Sequence, residues 1–322
     1  MIYNISESYS NKILNFSQYE QSVIGFLQEN GIVTEGIKDI GGIFKNLGER
    51  VGKIIEAIRK TVGGWIATLR RKIQDRAQKK IDNEKLNKKF EAFKQSDKLN
   101  ITLEVSSALT DVKSCENKKN YVLKQLDRSS MVISKAMDKL ATQASKGKNT
   151  GGINGETLFT AMDNADKNHS VDIDNSEKRK ITVRELLIKL GVNPNTKNFA
   201  NDIKNAYGKL SKWIDDLNFA NNKKLVVIEK DLKHKIDMYD TNFKSDEDDN
   251  SAKSSGVSFF VAEALKGLNA WVNWYRTEIK LVLKECTVFS NSVGSIESEI
   301  YMWNFNQSRA GQYTKNSKDI DL

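Results

Sequence analysis

The chain is poor in everything that breaks, staples or anchors a fold. It holds a single proline in 322 residues, so nothing in its composition interrupts long helices. Its two cysteines, Cys115 and Cys286, lie far apart and each falls on an apolar helical position. They read as small core residues in a reducing compartment, and a disulfide framework is not supported. Two histidines and no CxxC make a structural zinc site an improbable feature. No apolar stretch approaches the length of a membrane-spanning helix, and the first residues lack the basic start and apolar core of a secretory signal. The chain also has no GxxxxGK[ST], no GxSxG, no HExxH and no GxGxxG after a strand-like run. Carboxylate pairs such as Asp215-Asp216 carry no weight where 29% of residues are charged. The expectation is a non-enzyme with no catalytic residues and no small-molecule substrate.

What is abundant is helical periodicity. From Val261 through Leu265, Leu268, Val272, Tyr275, Ile279, Val282, Cys286, Phe289, Val293, Ile296 and Ile300 to Trp303, apolar residues recur at alternating steps of three and four. That is the a/d seam of a long helix built to lie against others. A second seam is read from Ile101 through Val105, Ala108, Val112, Cys115, Val122, Leu126, Ile133 and Ala136 to Leu140, with Lys119 at an apolar place. A third runs from Phe199 through Ile203, Leu210, Trp213, Leu217, Ile228, Leu232 and Ile236 to Phe243. Three helices of about 45 residues, each about 65 Å long at 1.5 Å per residue, predict an all-α fold. It is an elongated antiparallel bundle of coiled-coil character, preceded by an amphipathic helical segment. Trp271, Trp274 and Tyr275 read as core rather than as a ligand cage.

Charge divides the chain. Residues 1–35 carry one Lys against four Glu; residues 36–98 carry 17 basic against 8 acidic residues, which is most of the net +9. The organisation read from this is a leader at 1–35, a basic amphipathic segment at 36–98, a long-helix bundle at 99–305 with an irregular insertion at 146–196, and a polar, frayed tail at 306–322. The leader carries a short apolar pattern that stops at Asn30-Gly31. In the basic segment an apolar face recurs at Ile37, Phe44, Leu47, Val51, Ile54, Ile58, Trp65 and Leu69, and six glycines interrupt it. Each glycine costs an isolated helix up to about 1 kcal/mol, so the segment is stabilised by a surface beneath it or bends at Gly63-Gly64. Residues 70–98 read as an exposed, highly charged helix. Three roles are open for the segment: a wet helix packed on the bundle, an interfacial helix on an anionic membrane, or a non-specific contact with nucleic acid phosphates.

Asp166, Asn168, Ser170, Asp172, Asp174 and Glu177 fall at the oxygen-ligand positions of a calcium-binding EF-hand loop. The departure is Val171, where that loop has glycine for a positive-φ turn that a β-branched residue resists. The competing reading is a polar turn between helices. Calcium is the only cofactor that the sequence admits.

One local stretch bears on function. Gly31-Ile32-Val33-Thr34-Glu35-Gly36 joins the acidic leader to the basic helix. It resembles the cleavage site of prohead proteases in large tailed bacteriophages, which cut after the glutamate of a hydrophobic-x-Glu motif. The opening as a whole is similar to the start of internal virion proteins of such phages, whose short N-terminal helix targets them to the scaffold core and is then removed. The resemblance covers about 60 residues and implies a structural or internal virion protein with Val33, Thr34, Glu35 and Gly36 as its processing junction. It further implies assembly in the host cytoplasm, residence in the particle, and partners that are other virion proteins or copies of itself, met through helical seams. The reading from another class is a membrane-active helical protein that works at a membrane surface through residues 36–73. A third is a generic coiled-coil adaptor.

Overall fold

The computed structural model describes residues 40–77, 82–145, 158–159, 177–245 and 250–318. Six helices dominate them: α1 (Ile40–Ala77), α2 (Asn83–Gln95), α3 (Val112–Ser145), α4 (Val183–Lys189), α5 (Phe199–Ser245) and α6 (Asn250–Lys318). A two-stranded antiparallel sheet joins β1 (Thr102–Ser106) to β2 (Lys178–Thr182), with Leu103 opposite Ile181 and Val105 opposite Arg179. The all-α bundle expected from the seams is what forms, and α1 joins it as a fourth long helix.

Named contacts give the direction of each helix. Asn221 of α5 donates to the Arg59 carbonyl of α1 at 2.9 Å, and the Phe44 and Phe243 rings lie 5.6 Å apart, so α1 and α5 are antiparallel. Lys119–Asp216 and Asp138–Lys235 pairs at 2.6 and 2.8 Å make α3 and α5 parallel. Trp271 Nε1 donates to Ser129 Oγ at 3.0 Å, and a Cβ on Gly256 would run into the Ala144 carbonyl, so α3 and α6 are antiparallel and close. Phe44 against Phe260 and Arg76 against Ser290 make α1 and α6 parallel. The bundle is therefore two helices up and two down, with α5 and α6 meeting across its diagonal at Trp213–Phe289 and Asn221–Tyr275. Leu265, Leu268, Val272, Ile279, Val282, Phe289, Ile296 and Ile300, the expected seam of α6, are all buried.

Several expectations are corrected. The second seam does not begin as a helix at Ile101. Thr102–Ser106 alternates polar and apolar residues and pairs with β2, and the helix starts only at Val112. Asp111 caps it, accepting the Ser114 N–H at 2.9 Å, and that bond holds its carboxyl below the usual range. Residues 70–98 are not one exposed helix: α1 ends at Ala77, and α2, capped by Asp82, buries Leu86, Phe90 and Phe93 against α5 and α6. Phe90 stacks on Phe199 at 4.0 Å and Phe93 meets Trp303 edge-on. The insertion at 146–196 contains β2 and α4, the latter started by a Thr182/Glu185 capping box and ended at Gly191, φ 73°. The tail is helical through Lys318.

Between Ser145 and Lys178 the chain has to regain the length of α3, about 50 Å, because β2 lies back beside the strand that precedes that helix. A long connection is what a parallel α3–α5 pair requires.

Asn221 is fully buried and bridges three helices, accepting from Tyr275 Oη at 3.0 Å while donating to Arg59. Asn221→Ala leaves the Tyr275 hydroxyl buried without its acceptor and opens a cavity. We expect a loss of about 3 kcal/mol, read as a lower urea midpoint at an unchanged m-value.

Candidate functional site

The face read from the sequence for membrane or partner contact is the face that α1 turns to the bundle. Phe44, Leu47, Val51, Ile58, Trp65 and Leu69 are buried and Ile54 packs half-buried on the core; Ile37 lies outside the described residues. Ile55 and Ile66, next to Ile54 and Trp65, are buried too. Sequence reasoning on a narrow seam passed over them. Helix α1 lies in the groove between α5 and α6, and filling a groove takes a wider stripe than facing one helix. The doublets Ile54-Ile55 and Trp65-Ile66 were the available signal.

The helix runs unbroken through Gly63-Gly64. A Cβ on Gly63 would stand 3.4 Å from Asn221 Nδ2, and one on Gly52 would stand 2.8 Å from Lys233 Nζ. Those two glycines admit α5 side chains close to the α1 backbone. Gly48 and Gly64 have nothing within 4 Å of that position.

The opposite face of α1 is wet and mixed in sign. Lys45, Lys53, Lys60 and Arg71 are exposed, with Glu49 and Glu56 among them. The Lys60 ammonium, bonded to Glu56 at 2.7 Å, holds that carboxyl below its usual range. Arg70 pairs with Asp215 at 3.0 Å. Arg76 clamps α6, donating to the Ser290 carbonyl and hydroxyl at 2.8 Å each. At least these two cations of the basic segment serve packing.

A buried polar belt lies at the level where α3 begins. Lys119, the misfit in the second seam, is 5% exposed and satisfied by Asp216. Glu285, 2% exposed, is paired with Lys118 of α3. Cys115 and Cys286 are buried free thiols beside them. Trp271 and Tyr275 stack at 6.0 Å and are core, as expected.

Of the calcium-like loop, Asp166, Asn168, Ser170, Asp172 and Asp174 lie outside the described residues. Glu177 is exposed, its carbonyl accepts the Ser107 N–H at 2.9 Å, and it leads into β2. An EF-hand passes from its twelfth position directly into a helix; here a five-residue strand comes first. Among the described residues no group of three or more His, Cys, Asp or Glu is placed to hold a metal ion. The processing junction, Val33, Thr34, Glu35 and Gly36, is likewise outside them. Near the other end an open groove between α2 and α6 is lined by Asp82, Glu84, Lys85, Lys88, Lys89 and Asn304. Its charges are partly spent on each other, as in Lys88–Glu84 at 2.6 Å, and burial followed by Lys85 lowers the Lys89 ammonium. No described helix is long and apolar enough to cross a membrane.

No family model, curated protein or solved structure matches the chain.

If Gly64 serves no packing purpose, Gly64→Ala stabilises the protein by about 0.5–1 kcal/mol through helix propensity alone. Chemical denaturation reads this as a higher midpoint.

Proposed function

We propose that this protein is a non-enzymatic structural or internal component of a tailed-phage particle, acting through helix–helix packing and processed after Glu35. The observation that carries the reading is the sequence of the junction, Val33-Thr34-Glu35-Gly36, between an acidic leader and the basic helix α1. The junction ends at Gly36, ahead of the start of α1 at Ile40, and Phe44 is the first buried side chain among the described residues. Within one chain the seams are filled by the chain's own helices. Contacts with other virion proteins or further copies then fall to outer faces, such as the end of α6, where Met302 and Phe305 are 62% and 60% exposed.

In purified particles the mature protein begins at Gly36, and Glu35→Gln leaves it beginning at Met1. Peptide mass spectrometry of the N-terminus checks both; particles that carry only the Met1 form remove processing from the reading.

The membrane-active reading is favoured by one feature. Gly48 and Gly64 lower the intrinsic stability of α1 without serving its packing, which suits a helix that leaves its groove. On the structural reading the full chain stays unbound in flotation with phosphatidylglycerol-containing vesicles. Binding at low salt that is lost at about 0.5 M salt, where surface charge is screened, selects the membrane reading instead.

A further inference from the structure

The antiparallel pair of α3 and α6 has a register that three contacts define. Lys118 meets Glu285, Ser129 meets Trp271 at 3.0 Å, and Ala144 abuts Gly256. In each pair the two residue numbers sum to almost the same value, as antiparallel helices require. Cys115 and Cys286 obey the same relation, so they stand at one level on facing helices. Both are in the core, 3% and 1% exposed, and both are free thiols. Their surroundings exclude bulk solvent: Thr110 Oγ1 lies 3.2 Å from the Cys115 sulfur, and the buried Glu285 carboxylate stands beside both thiols. Among the described residues no three His, Cys, Asp or Glu groups are placed to hold a metal ion.

We propose that Cys115 and Cys286 form a dithiol that closes to a disulfide under oxidising conditions, pinning α3 to α6 at the end of the bundle where α3 begins. Two S–H bonds break and one S–S bond forms. The two protons and two electrons pass to a two-electron oxidant, for which a diazenedicarboxamide that is reduced to its hydrazine serves as the probe. Burial keeps both groups as thiols at neutral pH, pushing Cys115 up to about 11 and Cys286 higher. The attacking thiolate is therefore scarce and closure is slow. The same burial restricts which sulfur either thiol can reach, so the product is the internal disulfide rather than a mixed one. This inference is independent of the virion reading, because it rests on the α3–α6 register alone.

The full-length protein is treated with the oxidant at neutral pH and compared with its Cys115→Ser variant. The expected result is a mass loss of about 2 Da and a single cross-linked peptide joining the two cysteines. The melting temperature should rise by about 5–10 °C, since the bond closes a long loop, and dithiothreitol should reverse the change. The same treatment leaves the mass and melting temperature of Cys115→Ser unchanged. Two alkylatable thiols per denatured chain after oxidation overturn the proposal, as do exclusively intermolecular disulfides or an internal bond that lowers the melting temperature.

Discussion

The constraint on which the bundle depends is the apolar seam of α6. Over 69 residues, about 100 Å at the standard rise, it presents buried residues from Val257 to Ile300 without an intervening break. One helix cannot cover such a stripe, because a facing helix shields only a narrow strip along its own axis. Helices α1 and α3 flank it and α5 closes the far side. Remove any one and a line of Ile, Val and Phe meets water. The cost of such exposure scales with apolar area, about 25 cal/mol per Å². Two helices flanking α6 with a third across the diagonal is the geometry that leaves none of the seam wet.

Apolar burial alone does not fix register, since a seam that repeats every seven residues packs almost as well when slid by one repeat. Polar groups placed inside it supply the difference. Asn221 reaches Arg59 and Tyr275 only in the observed alignment, Ser129 receives the Trp271 indole only there, and Lys119 finds Asp216 only there. Sliding by a turn would bury each without its partner, at about 1–3 kcal/mol apiece. The surface pairs along α3 and α5 add little individually. Tyr239 is the exception among them, because Asp138 accepts its hydroxyl and the neighbouring lysine together.

The long seams were legible from Val112, Phe199 and Val261 onward because the apolar spacing there is helical over several turns and no proline interrupts it. The short elements were not, for different reasons. Ile101, Val105 and Ala108 satisfy a helical template while Thr102–Ser106 satisfies a strand template. The choice is made by Lys178–Thr182, more than seventy residues away, which no local window contains. For α2 the signal was present: Leu86, Phe90 and Phe93 follow the Asp82 cap at helical spacing. Seventeen basic residues in the surrounding segment concealed it, because a charged stretch averages to a hydrophilic one even when three large apolar side chains anchor it. Lys119 was legible as an anomaly but not as a pair, since Asp216 belongs to a helix that is adjacent only in three dimensions.

The same structure bears on how α1 is to be understood. Its apolar stripe is as well buried as that of α5, yet two of its glycines face open space and a third only grazes Asn221. A helix whose docking depends wholly on its groove and little on its own propensity is ordered by the bundle rather than before it. Its stability therefore rests on the groove between α5 and α6.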